Sequence, residues 1–343
     1  LQALALVMRA IGEEDQVLPI MEEALGIWRE IGERRGEAAI LMNLGNHLVD
    51  SARYEEGLDY LERAIQMHRD TGALMNEAIV LTNMGHALNL LGRIDEARTA
   101  WERGLGIFVD HGNPNGELAV RAMMGGALGG YGEADEARGH LEAAIVLAEK
   151  TGNRAKLSMA HRALGELLHD TGASDEGWAH LEAALAIDRE LGDASGRVLS
   201  LALCGRTARM DGDAQRAVDL LAEALEDALT MESLAPLVLA RLARAELEAG
   251  RLEEAAVHAG DARMRLERAE GVSPLDGPEI YPALYRVLGD AELLRTAREL
   301  LEARAAAVRN DTYREHLRLR AWPAPEILAE REGPAADDAA SPG

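Results

Sequence analysis

The side chains that could carry chemistry are three histidines at related positions, His140, His180 and His258, the lone cysteine Cys204, and the glycine-rich run Met124-Gly-Gly-Ala-Leu-Gly-Gly130. Histidines in register could ligate zinc, a thiol could attack an electrophile, and clustered glycines could cradle a phosphate. Each lacks its companions. His140 and His180 stand 40 residues apart, one period of the repeat that organises the chain, and Leu220 interrupts the row. Equivalent points on stacked helices lie about 10 Å apart, whereas zinc needs several nitrogens within about 2.0–2.1 Å of one point. These residues are therefore read as partly exposed helix-surface histidines, and no metal is expected. The glycine run follows no strand, precedes no lysine and falls where the repeat demands a helix. Cys204 occupies the apolar slot of Leu44, Met84, Met124 and Leu164, which predicts a buried, inert thiol.

No Walker-type loop, His-Glu-x-x-His, Gly-x-Ser-x-Gly or paired-cysteine motif occurs in the sequence. Trp28, Trp101 and Trp178 fall on second helices of the repeat and read as packing residues. Acidic pairs such as Glu55-Glu56 and Asp95-Glu96 recur where those helices begin, where they complement the helix dipole. No cofactor and no enzymatic activity are expected. A formal net charge of −24 and a pI of about 4.8 work against phosphate backbones and anionic lipid surfaces, so neither nucleic acid nor membrane is an expected partner. No apolar run reaches the roughly 20 residues that span a bilayer, and LQALALVMRAIGEED carries no signal-peptide pattern. With one cysteine, the expected compartment is the cytoplasm. The chain begins within a helical pattern at Leu1, as a fragment of something longer would.

The elements that hold these residues are legible in the composition and the period. The chain is 48% hydrophobic but only 3% aromatic, which favours aliphatic helix-on-helix packing. Gly45, Gly85, Gly125, Gly165 and Gly205 are each 40 residues apart, and Gly32, Gly72, Gly112, Gly152 and Gly192 keep the same step. Between them one pattern recurs, as in Tyr54 to Ile65, Ile94 to Leu105 and Ala134 to Ile145. Leu41, Leu44 and Leu48 fall at helical spacing on a first helix, and Leu58, Leu61 and Ile65 on a second. Each unit is thus a helix hairpin. Glycines at Gly92, Gly132 and Gly172 supply the left-handed backbone of the bends. Gly45 and its counterparts lie inside a helix, at a cost of roughly 1 kcal/mol, and the expected compensation is close approach of the partner helix.

Leu41-x-x-Leu-Gly-x-x-Leu48 followed by Gly57-x-x-x-Leu61, and Leu81-x-x-Met-Gly-x-x-Leu88 with Ala97-x-x-x-Trp101, resemble tetratricopeptide repeats. The 40-residue period and Asn43-Leu-Gly-Asn46 are similar to the longer variety in Leu-Gly-Asn repeat proteins and kinesin light chains. The resemblance implies an all-α, right-handed α-α superhelix of stacked antiparallel hairpins. Its expected parts are a truncated first repeat over 1–32, six hairpins over 33–270, a degenerate terminal repeat with capping helices over 271–330, and a disordered tail over 331–343. The stretch Leu293 to Ala329 resembles the end of repeat regions attached to bacterial AAA-type ATPase, nucleotide cyclase or Ser/Thr kinase signalling proteins.

Superposing the copies places Asn43, Asn46, Asn83, His86, Asn89, Arg162, Glu166, Arg206 and Arg209 toward the concave groove that first helices line in such arrays. Asparagine can hold an extended peptide backbone through paired donor and acceptor contacts, and arginine can take a carboxylate bidentately. The resemblance implies that Asn43 and Asn83 clamp a peptide. The expected function is a protein-interaction scaffold within a larger bacterial signalling or regulatory protein, with a protein or peptide partner. The alternative is a regulatory sensor segment that binds a small ligand or peptide and controls an attached catalytic domain. The oligomeric state is left open.

Overall fold

The computed structural model describes residues 14–51, 53–268, 277–321 and 323–329, so the expected tail over 331–343 lies outside the described residues. Among these the structure holds seventeen helices and no strand. The chain divides into two compact units, Leu1–Met124 with Ala307–Arg309, and Gly125–Ala306 with Asn310–Gly343. The first unit carries α1 (Glu14–Glu30), α2 (Arg34–Asp50), α3 (Tyr54–Asp70), α4 (Leu74–Leu90), α5 (Ile94–Asp110) and the start of α6 (Pro114–Gly130). The second carries the end of α6, then α7 (Ala134–Thr151), α8 (Arg154–Asp170), α9 (Ser174–Leu191), α10 (Ala194–Met210) and α11 (Ala214–Ala228). It continues with α12 (Ala235–Glu248), α13 (Leu252–Arg268), α14 (Gly277–Leu288), α15 (Ala291–Ala307), α16 (Asp311–Leu319) and α17 (Ala324–Ala329).

Within the first unit α2 packs on α3 and α4 on α5, and within the second α8 packs on α9, α10 on α11 and α12 on α13. The 40-residue step therefore marks one antiparallel hairpin. Helices stop where a glycine adopts positive φ, for example Gly152 at 68° and Gly172 at 90°, a conformation that costs residues with a Cβ roughly 1–2 kcal/mol. Asn153 then turns its amide back to the Ala148 carbonyl at 2.9 Å, and its own side chain caps the next helix at the Lys156 amide. The core is largely aliphatic, with Ile40, Leu41, Leu44, Leu48 and Leu61 fully buried in the first unit, and Leu141, Leu164, Leu181 and Leu221 in the second. The glycine-rich run at 124–130 is helical, within α6. No described helix is long and apolar enough to cross a membrane.

The ladder of Gly45, Gly85, Gly125, Gly165 and Gly205 marks where the two helices of a hairpin touch. A Cβ on Gly45 would lie 2.7 Å from Leu61 Cγ and 2.9 Å from the Gly57 carbonyl. On Gly165 it would lie 2.8 Å from Leu181 Cγ and 2.9 Å from the Gly177 carbonyl. Gly85 meets the Trp101 ring in the same way, and that indole satisfies its N–H by donating to the Thr82 carbonyl at 3.1 Å. Helix propensity and packing consequently act in opposite directions here. Gly165→Ala is expected to lower stability by about 1–3 kcal/mol through overpacking, despite the better helix former. Gly106→Ala, on an exposed stretch of α5 with nothing within 4 Å of the new methyl, is expected to raise stability by up to about 1 kcal/mol. Urea denaturation of the two variants measures both, and equal signs would remove close packing as the role of the ladder.

Candidate partner-binding face

Asn43 and Asn46 sit one turn apart on α2, and Asn83, His86 and Asn89 occupy three successive turns of α4. Spacing of three residues keeps each set on one helix face, and α2 and α4 are in direct contact. His86 is exposed and the four asparagines are half-buried. Among the described residues none of the five side chains makes a hydrogen bond, and the Asn89 Oδ1 is shielded from solvent without a donor. The first unit thus presents a row of uncommitted amides.

The second unit differs. Arg206 is 3% exposed and is held by Glu166 at 2.5 Å and Asp170 at 2.7 Å. Glu166 and Arg206, expected as two separate contacts for a partner, are partners of each other. Arg209 donates to Glu248 at 3.3 Å and to Glu326 of α17 at 3.0 Å. Arg162 reaches Asp188 at 2.9 Å. The cationic centre anticipated for ligand carboxylates is therefore already filled by carboxylates of the fold. The C-terminal helix α16 packs on the end of α6: Tyr313 lies on Tyr131 with centroids 5.5 Å apart, and His316 lies against Gly132.

Two buried clusters were not anticipated. Asp188, 1% exposed on α9, accepts from Ser158 Oγ on α8 at 2.5 Å, from Ser200 Oγ on α10 at 2.6 Å and from Arg162. Both serines donate to this carboxylate, Ser158 within one hairpin and Ser200 from the next, so Asp188 ties the two hairpins together. In the second cluster His161 and His180 face each other across one hairpin with Nδ1 atoms 2.8 Å apart. His180, partly exposed as expected, is also half of a ring pair, which was not expected. His258 pairs with Glu246 at 2.8 Å, and the side chain of His140 is only 14% exposed. Among the described residues no group of three ligating side chains could hold a metal. Cys204 is buried, and burial pushes its thiol up to about 12. Trp178 donates to Asp211 at 2.8 Å and is covered by Arg216 at 3.9 Å.

Removal of Asp188 would leave Arg162 without its carboxylate and two serines without an acceptor. Asp188→Ala is expected to cost about 3 kcal/mol in chemical denaturation, and Asp188→Asn less because the serine contacts survive. The histidine pair generates a pH effect. Burial holds both imidazoles below their ordinary range, and the neighbouring His180 adds to the depression at His161. Glu149 and Arg154 also face His161, and Glu176, Arg138 and Glu142 face His180. The unfolded chain takes up protons at about pH 6.5, where the folded pair still resists them. The stability is complete above that pH and is lost as pH falls through the depressed folded values. His161→Leu/His180→Leu, copying Leu201 and Leu220 one period later, is expected to flatten the fall in melting temperature between pH 7 and pH 5. An unchanged slope would remove the pair from the pH dependence.

No protein-family model matches the sequence, and no curated protein matches it significantly. Solved structures do match in fold. A Rap protein in complex with competence and sporulation factor superposes with a TM-score of 0.61 at 14% identity, over 92% of this chain and 79% of that one. NprR in complex with its cognate peptide NprX gives 0.52 at 12% identity, over 86% and 82%. A tetratricopeptide repeat protein from Parabacteroides merdae gives 0.50 at 12% identity, over 85% and 98%. With a 40-residue hairpin, glycine contacts between its helices and these likenesses, the chain has the all-α fold of a tetratricopeptide-type repeat protein.

Proposed function

We propose that the chain is a protein-interaction scaffold that takes an extended peptide or partner segment on the first-helix face of its first unit. The observation that carries the reading is the set of uncommitted side chains at Asn43, Asn46, Asn83, His86 and Asn89. The Asn89 Oδ1 is buried without a donor, which is costly in a folded protein, and an extended backbone offers alternating donors and acceptors for this oxygen's amide group and for the solvent-reaching amides beside it. Arg162, Glu166, Arg206 and Arg209 flank no such vacancy and support the fold by their ion pairs. Two proteins of similar fold are complexed with a peptide or factor, Rap and NprR, which supports the same use here. Membership of a larger bacterial signalling or regulatory protein extends this proposal.

A photo-crosslinking residue at His86 is expected to trap partners from bacterial lysate that the same residue at Glu102, exposed on the second helix α5, does not. Adding Asn43→Ala and Asn83→Ala should abolish the trapping at His86 while leaving helical circular dichroism unchanged. Equal capture at both positions, or capture that survives the asparagine changes, would place recognition elsewhere on the molecule.

A further inference from the structure

His161 of α8 and His180 of α9 are two metal-ligating side chains whose donor atoms meet across a single hairpin. Their Nδ1 atoms are 2.8 Å apart and their ring centroids 5.1 Å apart. The difference between those distances is one ring radius at each end, so both nitrogens lie between the rings, on the line that joins the centres. The two lone-pair directions therefore point at each other. The spacing of about 10 Å that excludes a site along the histidine row of stacked helices does not apply within one hairpin.

Packing does not call for histidine here. One period later the equivalent residues are Leu201 and Leu220, which join an aliphatic core cluster. Two half-buried imidazoles surrender hydration that leucines never had. Burial holds both below their ordinary range, so at neutral pH the pair is uncharged and shares one hydrogen between its Nδ1 atoms. Neutral imidazole is also the form that ligates metals.

The number of ligands selects the ion. Zinc takes four ligands and copper(II) a square-planar or larger set, and among the described residues no group of three His, Cys, Asp or Glu side chains could hold a metal. Glu142 and Glu176 near His180 are both engaged by Arg138 at 2.7 Å. With Glu149 and Arg154 beside His161, the pair is surrounded by three carboxylates and two guanidiniums, which suits a cation better than an anion. Two neutral nitrogens on one line are the donor set of a linear, two-coordinate copper(I) ion.

We infer that His161 and His180 bind one copper(I) ion through their Nδ1 atoms. Metal–nitrogen bonds of about 2 Å in a linear arrangement place the nitrogens about 4 Å apart, so the rings part by about 1 Å from their 2.8 Å contact. Side-chain torsions of half-buried residues accommodate that movement. Two nitrogen–copper bonds form and one hydrogen bond breaks. The ring that donated its Nδ1 hydrogen carries a hydrogen on Nε2 instead, so no net proton is released and copper keeps its oxidation state. The site lies within the second unit, and neither it nor the amide row of the first depends on the other.

The test is anaerobic titration of the full chain with copper(I) in competition with bicinchoninate. It is run in a Cys204→Ala background, which removes the one thiol, while the imidazole nitrogens are followed by nitrogen-15 NMR. One copper(I) per chain is expected to leave the chelator, with the Nδ1 resonances of His161 and His180 shifted and zinc bound far more weakly. His161→Leu and His180→Leu, which copy Leu201 and Leu220, should each weaken capture about 100-fold or more. His140→Leu, the matched change in the preceding hairpin, should leave it unaltered. Capture that survives either of the first two changes, zinc binding as tight as that of copper(I), or no capture by the Cys204→Ala chain would overturn the assignment. The nitrogen shifts are read in the unsubstituted chain as well, so unmoved Nδ1 resonances there would overturn it even if a variant misfolds.

Discussion

Everything in this structure depends on the contact between the two helices of each hairpin, where backbone touches backbone. The Gly165 and Gly177 carbonyls each lie where the other residue's side chain would begin, and Gly45 and Gly57 repeat the arrangement. At that separation the large residue of the second helix, Leu61, Trp101, Leu141, Leu181 or Leu221, lies over the glycine of the first. Each glycine sacrifices about 1 kcal/mol of helix propensity, and the burial of a leucine side chain returns about 1.5–3 kcal/mol. The exchange is favourable only with both members present, which is why the glycine and the large residue recur together 16 positions apart. A similar reciprocity operates between hairpins: Trp28 lies on Gly36 and Phe108 on Gly116, a ring against a bare Cα in each case.

A frame fixed this tightly makes departures from it informative. The position of Tyr60, Ala100, His140, His180 and Leu220 is outside the close contact, so its residue can change without moving either helix. At His180 it forms a ring pair, and at Leu220 it packs against the core. The residues of the frame are constrained by packing density. Those beside it are free to vary, and the amide row proposed as a binding face on α2 and α4 is of this kind.

The period, the hairpins, the left-handed bends and the buried Cys204 were all legible, because each depends on residues close in sequence or repeated at a fixed step. The candidate face was legible only by half. Asparagines were placed on the first helices correctly, but the sequence does not state whether a charged neighbour already has a partner. For Arg206 a signal existed, since Glu166 stands one period earlier and stacked copies bring such positions together. For Arg209 the same signal pointed to Glu248, 39 residues on, but none pointed to Glu326, 117 residues away on a helix outside the repeat. The His161 and His180 pair follows the 19-residue offset that also joins Trp101 to the Thr82 carbonyl, an offset across one hairpin that the 40-residue histidine row does not contain.

The charge distribution follows from the same stacking. Of the 36 basic residues only Lys150 and Lys156 are lysines, and the arginines bind carboxylates of the adjacent repeat at separations close to the period. Arg34 holds Asp70, Arg138 holds Glu176, Arg189 holds Glu223 and Arg241 holds Glu279. A planar guanidinium with two parallel donors suits such a bridge better than an ammonium. Exposed members such as Arg138 and Arg189 contribute little individually and are weakened by salt. Arg241 and Glu279, whose side chains are 11% and 16% exposed, and Arg206 with its two acceptors are shielded from that screening. In a solenoid, stability is a sum over neighbouring units, so these shielded bridges set the coupling between hairpins of the second unit. With its arginines turned to that task, a chain of net charge −24 is left with an acidic exterior.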